Sequence, residues 1–514
     1  MYGLISAPRI DLPGLTWFNS KGPVALAELR GRLVILDFWT FCCINCMHVL
    51  PVLRAIEETW PLEVSVIGVH SPKFAAEREE TNVAHAIARY DIRHPIVHDP
   101  GMAIWSAFGV RAWPTLVFIA PDGQIIGQLS GEPNRERLMA GITEMIATWR
   151  QEGILRPGEW GLDSPATGGT RLSFPGKIKP VPGTSARPDR GASFEARVMP
   201  IDMHSHDDSP ARWAAADAGH HQIALFDDAG RELMRFGSGQ PGFADGAAAE
   251  ASFRSPQGLA ADRDTIYVAD TGNHAIRRIA LADGRVTTLA GNGKRGRPLT
   301  WQWHPGPDLE LASPWDLEPS DGRLFFANAG THQLGEMDLG NGSLRALAGT
   351  GGESITDGPA DAALLAQPSG LALSPSGSTL YFADSETSAV RALSLGIDAE
   401  VTTLVGTGLF DFGHANGVFA DSKFQHPLGL AWWKNGLVVA DSYNGRLRYL
   451  DLKARTVADV GEAGFACEGP VCRPAGEPAG VAAAGDDRLL VSDTNNHRIV
   501  EVHPAAKALR VWAA

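Results

Sequence analysis

Apolar residues follow two rhythms along the chain. Up to residue 150, short continuous apolar runs at 33–39, 64–69, 96–98 and 115–120 alternate with stretches whose apolar positions recur every three or four residues. The runs predict buried strands and the periodic stretches predict helices at 24–29, 43–59, 74–90, 102–108 and 136–149. In the helix that starts at Cys43, Val49, Leu50, Leu53 and Ile56 share one face. Pro51 removes a backbone donor inside it and predicts a kink. Pro121-Asp122-Gly123 is a tight turn that makes 124–129 the hairpin partner of 115–120. Alternating strands and helices closed by a hairpin predict a three-layer α/β domain over 1–150.

Residues 151–170 carry Gly, Pro and polar residues without periodicity and read as a linker that wraps rather than packs. From 171 to 514 the rhythm becomes a repeat. One unit runs Pro256-Gln-Gly-Leu-Ala, then Thr265-Ile-Tyr-Val-Ala-Asp270, then Ala275-Ile-Arg-Arg-Ile, then Val286-Thr-Thr-Leu-Ala. The order returns from Pro314, Pro368, Pro427 and Pro478, with Asn328, Asp384, Asp441 and Asp493 in the anchoring place. An earlier copy passes through Trp213 and Asp217, with 173–177 as its first strand. A period of roughly 50–60 residues, repeated as four short strands, predicts propeller blades.

Several features of the repeat carry expectations. The anchoring Asp should fold back on its own turn amides. Residues 508–513 supply a fourth strand for the last blade, so the ring should close by packing alone, with no strand borrowed from the start of the repeat. His221, His274, His332 and His497 occupy equivalent turns, one per blade, and symmetry spreads them round the ring. That favours a turn role over a metal site. Loops at 242–253 and 356–367 cross the same junction and should line one face, where such discs bind ligands. Cys467 and Cys472 fall in a Gly/Pro-rich loop, spaced for either a loop disulfide or two thiols.

The sharpest chemistry lies in Asp37-Phe-Trp39-Thr-Phe-Cys42-Cys43-Ile-Asn-Cys46-Met-His48, where a strand hands over to a helix. Unpaired N–H groups and the helix dipole favour an anion at Cys43. A thiolate there can have its pKa lowered from roughly 8.5 to about 3.5–7.5. Cys46, one turn deeper, can reach the same sulfur. A zinc half-site lacks a second Cys or His pair at ligand spacing, so no metal and no cofactor is expected. Cys42 is either a third redox thiol or a buried bystander. Trp39 is a further candidate modulator, and so is His48, read as a partly exposed helix histidine.

This order of strand, Cys-x-x-Cys, kinked helix, Trp113-Pro114-Thr115 and closing hairpin plus helix resembles the thioredoxin superfamily. The resemblance makes Asp37 a buried carboxylate beneath the thiols. It makes Pro114 a cis-proline that, with Trp113, presents backbone to a substrate strand. The 74–90 insertion is similar to the membrane-anchored and peroxiredoxin-related branches. Ile44-Asn45 stands where thioredoxins carry Gly-Pro and Cys42 where they carry Trp, which leaves the redox direction open. A peroxidase is not expected: Thr40-x-x-Cys43 is present, but Leu36 stands where that pattern needs Pro.

The blades match the NHL-repeat signature, and six units imply a six-bladed propeller. A thioredoxin-like domain followed by an NHL propeller resembles the NHL repeat-containing protein 2 family over nearly the whole chain. Animal members carry a further C-terminal β domain, and this chain is expected to be a form without it. That family resemblance bears on architecture; the thiol pair and the thioredoxin resemblance point to a thiol–disulfide oxidoreductase. Cys43 would attack, Cys46 resolve and Asp37 relay a proton. A protein partner would be held at the cis-proline groove and recruited by the propeller face. The alternative is a non-enzymatic interaction scaffold whose thioredoxin fold is redox-silent.

Composition narrows the setting. With 514 residues the chain exceeds one core. A net charge of −14 argues against nucleic acid as a partner. Lys294, Arg295 and Arg297 read as a solvated loop. No apolar run approaches the roughly 20 residues of a membrane span. Residues 1–13 show no secretory pattern, and five cysteines suggest no disulfide framework, so the cytoplasm is the expected compartment.

Overall fold

A computed structural model describes residues 5–158, 169–182, 213–461, 466–468, 471–473, 475–506 and 508–514. The chain forms two compact units, 1–169 and 170–514.

In the first unit the strands are β1 (Ile5–Ser6), β2 (Trp17–Phe18), β3 (Leu33–Trp39), β4 (Val64–His70), β5 (Ile96–His98), β6 (Thr115–Ile119) and β7 (Gln124–Ser130). The helices are α1 (Ile44–Thr59), α2 (Glu80–Arg89), α3 (Ala103–Ala107) and α4 (Arg135–Gln151). The sheet order is β1-β7-β6-β3-β4-β5-β2. Central β3 and β4 run parallel and every residue of both is buried, as a strand covered on both faces requires. Leu33, Ile35 and Val66 pack on Val49, Leu53 and Ile56 of α1 and on Ile142 and Ile146 of α4. Leu36, Phe38 and Val69 pack on Ile104 and Trp105 of α3 from the other side.

Two expectations change here. The single helix expected at 74–90 is a 3₁₀ turn, Ala75–Arg78, and then α2, broken where Glu79 is extended. The expected linker packs at its start: Leu155 joins the α1–α4 core, and the Arg156 and Gly158 amides donate to the Gly31 and Leu62 carbonyls. Residues 159–168 of that linker lie outside the described residues.

The second unit is a six-bladed propeller of four-stranded sheets. The first blade starts with Pro175–Pro180, paired to Trp213–Asp217, and the last ends with Ala508–Ala513 on Arg498–His503. Among the described residues no strand is exchanged between them, as the sequence implied. The inter-blade loops also reach the rim. His304–Pro305, Gly358–Pro359 and Gly417–Val418 add a fifth strand to the outer edges of blades three, four and five. They cover backbone groups that an open edge would leave unpaired.

The repeat residues tie the blades together. His221, His274, His332 and His497 take left-handed backbone, with φ between 51° and 58°. Each Nδ1 accepts the backbone N–H of a residue entering the next blade: Ser255 (3.0 Å), Ser313 (3.0 Å), Gln367 (3.1 Å) and, across the closing seam, Phe174 (3.1 Å). The anchoring carboxylates also differ from expectation. Instead of its own turn amides, each holds the N–H of a residue leading into its own blade, as Asp270 does for Arg254 (2.8 Å) and Asp384 for Ala366 (2.7 Å). Wholly buried Arg277, Arg391 and Arg448 neutralise Asp270, Asp384 and Asp441 at 2.7–2.8 Å. In blade three both charges vanish together, with Asn328 for the Asp and Gly335 for the Arg.

At the axis, four first strands carry Gly and Ala two residues apart: Gly258 and Ala260, Gly370 and Ala372, Gly429 and Ala431, Gly480 and Ala482. Blade one has Lys177 and Lys179 in those places, and blade three has Asp316 and Glu318. Lys177 Nζ donates to the Leu428 and Ala479 carbonyls of blades five and six. Lys179 Nζ lies 3.1 Å from Glu318 and 3.8 Å from Asp316.

Candidate active site at the start of the first long helix

β3 ends at Trp39, and Thr40, Phe41 and Cys42 turn the chain into α1. Cys43 is the N-cap of α1, with extended backbone (φ −83°, ψ 112°) and no side-chain cap bond. Its carbonyl accepts the Cys46 and Met47 amides at 3.1 and 3.2 Å. Cys43 is half-buried, whereas Cys42 and Cys46 are buried, and all three are free thiols. The Cys46 thiol is hydrogen-bonded to Cys43, and burial first, then Cys43, pushes its pKa well above the ordinary 9.0.

Asp37 sits on β3 beneath this pair, wholly buried, and its charge acts on Cys46. Neither carboxyl oxygen has a hydrogen-bond partner among the described residues. Burial raises its pKa from 3.8 to about 7, opposed by nearby His94. The Trp113–Pro114 peptide is cis. The Pro114 carbonyl accepts Gly131 N–H (2.8 Å). The Trp113 indole donates to the Ser71 carbonyl (2.9 Å) and packs against Trp105 in a tilted arrangement, ring centroids 4.5 Å apart.

Of the candidate modulators, His48 alone sits differently from its sequence reading. Trp39 is wholly buried, edge-on to His70 at 5.0 Å. His48, expected to be partly exposed, has a side chain only 6% exposed, paired to Glu132 at 3.0 Å. The Cys42 amide donates to Glu77 Oε1 (2.9 Å).

Two features escaped the sequence reading. Glu77, wholly buried, also accepts the Lys73 and Phe74 amides at 2.8 and 2.9 Å. It ties the 74–90 insertion to the thiol turn. Its one sequence signal is the capping spacing, three residues after Phe74. The second is a buried pair, His70 and His98, whose Nδ1 atoms lie 3.1 Å apart. His98 Nε2 faces the Arg78 carbonyl at 3.0 Å and so carries a proton. Burial, then His98, holds His70 well below the usual histidine range.

Among the described residues no cluster of three or more His, Cys, Asp or Glu is placed to hold a metal, and no helix is long and apolar enough to cross a membrane. Cys467 and Cys472, read as loop residues, lie opposite each other in a short hairpin, Ala466–Glu468 with Val471–Arg473.

Comparison with known proteins adds to this geometry. Residues 31–125 match the family described as thioredoxin-like, and 253–279 and 476–501 match the NHL repeat. The chain is 36% identical over 506 residues to Protein SUPPRESSOR OF QUENCHING 1, chloroplastic, of Arabidopsis thaliana, covering 94% of this chain and 45% of that protein. It is 35% identical over 538 residues to NHL repeat-containing protein 2 of Bos taurus, covering 97% of this chain and 70% of that one. Over 115 residues it is 29% identical to the thiol-disulfide oxidoreductase ResA of Bacillus thuringiensis, covering 22% of this chain and 64% of ResA. The chain thus spans less than half of the Arabidopsis protein and about two thirds of the bovine one.

Proposed function

The chain belongs to the NHL repeat-containing protein 2 family, and from that premise we propose that it is a thiol–disulfide oxidoreductase acting on a protein partner. The observation that carries this reading is the graded pair of sulfurs. Cys43 is reachable at a helix start, and Cys46 is sealed behind it over an unpartnered carboxyl. Similarity of the first unit to ResA supports it.

In this reading the Cys43 thiolate attacks a substrate disulfide and forms a mixed disulfide, releasing one substrate thiolate. Asp37 takes the Cys46 proton. Cys46 then attacks the Cys43 sulfur, the second substrate sulfur leaves as thiolate, and the enzyme disulfide closes. A dithiol donor reduces it again. The cis-proline segment at Trp113 and Pro114 holds the substrate backbone, and the propeller recruits the partner. Three free thiols in the first unit suit a reducing compartment such as the cytoplasm.

Insulin reduction by dithiothreitol tests the reading. The wild type should accelerate it and Cys43→Ser should not. Equal rates would leave the propeller as a binding module beside a redox-silent fold. Cys46→Ala should trap Cys43 covalently on its partner, for identification by mass spectrometry.

A further inference from the structure

The ladder between β3 and β6 ends at the pair Phe38 and Thr115. Past that pair both chains leave the ladder, β3 toward the thiols and β6 back toward Pro114. Other bonds tie the two segments together. On one flank the Trp113 indole donates to the Ser71 carbonyl, and the Ser71 amide donates to the Trp39 carbonyl (2.9 Å). On the other flank the Gly131 amide donates to the Pro114 carbonyl (2.8 Å), and the next residue is Glu132. Glu132 Oε1 lies 3.0 Å from Nδ1 of His48, on the helix that Cys43 caps. A carboxylate oxygen only accepts, so the imidazole nitrogen donates. The contact is largely shielded, with the two side chains 6% and 15% exposed. Gly131 has left-handed backbone (φ 83°), and among the described residues no atom lies within 4 Å of where its Cβ would stand. That leaves room beside Pro114 for a chain to pass.

We propose that His48 and Glu132 are a positioning pair that holds the Pro114 segment at the distance from Cys43 that a polypeptide disulfide requires. The proposal rests on the thiol–disulfide reading above. From His48 the chain runs back along α1 to Cys43 in under two helical turns. From Glu132 it runs through Gly131 to the bond on the Pro114 carbonyl. The contact therefore joins the element that carries the attacking sulfur to the loop that braces the Pro114 segment. A polypeptide has to meet the sulfur and that segment together, whereas a small disulfide needs only the sulfur. In an oriented reaction a misplacement of about 1 Å can cost roughly 100-fold. The pair thus selects polypeptide over small disulfides without touching the reacting atoms.

The test gives the full-length chain two substrates. Dithiobis-nitrobenzoate, a small disulfide, reports attack by Cys43 through release of the first nitrothiolate. Insulin, with dithiothreitol as donor, reports the sulfur and the Pro114 segment together. His48→Ala and Glu132→Ala should each lower kcat/KM for insulin about tenfold, mostly through KM, and leave the nitrothiolate rate within about twofold of wild type. The double variant should be no worse than either single one, because the two residues act through one contact. His48→Asn, whose amide N–H stands in for that of Nδ1, and Glu132→Gln, which keeps the acceptor oxygen, should recover most of the loss. Unchanged insulin kinetics, equal losses on both substrates, or additive losses in the double variant overturn the proposal. A wild type that does not accelerate insulin reduction overturns the thiol–disulfide reading itself, so the two failures are distinct. If His48→Ala does not fold, Glu132→Ala and Glu132→Gln decide alone.

Discussion

Asp37 holds a place that folding alone would not choose. An aspartic acid in an apolar strand, without a hydrogen bond, is stable as the neutral acid and costly as the anion. Its pKa of about 7 when folded, against 3.8 ordinarily, fixes the sign. Because the folded value is raised, the stability it contributes is fully present below about pH 4. That contribution is lost as pH rises through about 7. The span corresponds to roughly 4 kcal/mol. Asp37→Asn is therefore expected to melt at higher temperature than wild type at pH 8 and to lose that advantage at pH 4. In the same variant the closure of the Cys43–Cys46 disulfide should slow. A wild-type melting profile at both pH values would show that the carboxyl is not destabilised by burial.

At the scale of elements, β3 and the start of α1 were readable from the chain because a buried run and an apolar helix face leave plain periodic traces. Leu33–Trp39 falls on the expected residues, and α1 starts one residue after its cap, Cys43. The break after the 3₁₀ turn was not readable, because Ala- and Glu-rich sequence has helical propensity throughout. What breaks it is tertiary. Glu77 turns inward and collects backbone N–H groups from both the insertion and the thiol turn. The His70–His98 pair was hidden for a similar reason, since adjacency of β4 and β5 makes it and spacing does not. Glu77→Ala should leave the Lys73, Phe74 and Cys42 amides without their acceptor. The expected cost is roughly 2–3 kcal/mol, read as a lower melting temperature of the first unit. Hydrogen exchange should quicken at those three amides. Unchanged exchange there would refute the clamp.

At the scale of the whole propeller, the repeat was legible and the bonds between repeats were not. Equivalent histidines announced a shared turn, but a sequence cannot show that Nδ1 reaches the next blade. That bond needs an unprotonated Nδ1, so acid should loosen several seams together. For His221, burial, then Arg254, lowers the pKa below 6.5. Its contribution is present above pH 6.5 and is lost as pH falls through the lower folded value. His497→Ala and His274→Ala should each cost about 1 kcal/mol in urea unfolding at pH 7.5. The two should be equal, because the closing seam uses the same bond as the others. A markedly larger loss for His497→Ala would mean the ring is held shut by that residue alone.

The four charges at the propeller axis do something that near-identical blades cannot do for themselves. Modules this similar could, by packing alone, stack in rings of five or seven as readily as six. With Lys177 and Lys179 in one module and Asp316 and Glu318 two modules on, opposite charges meet only at a fixed angular separation. The hub thereby counts its own spokes, and a duplicated or deleted module between the two would announce itself as a buried charge with no counterpart.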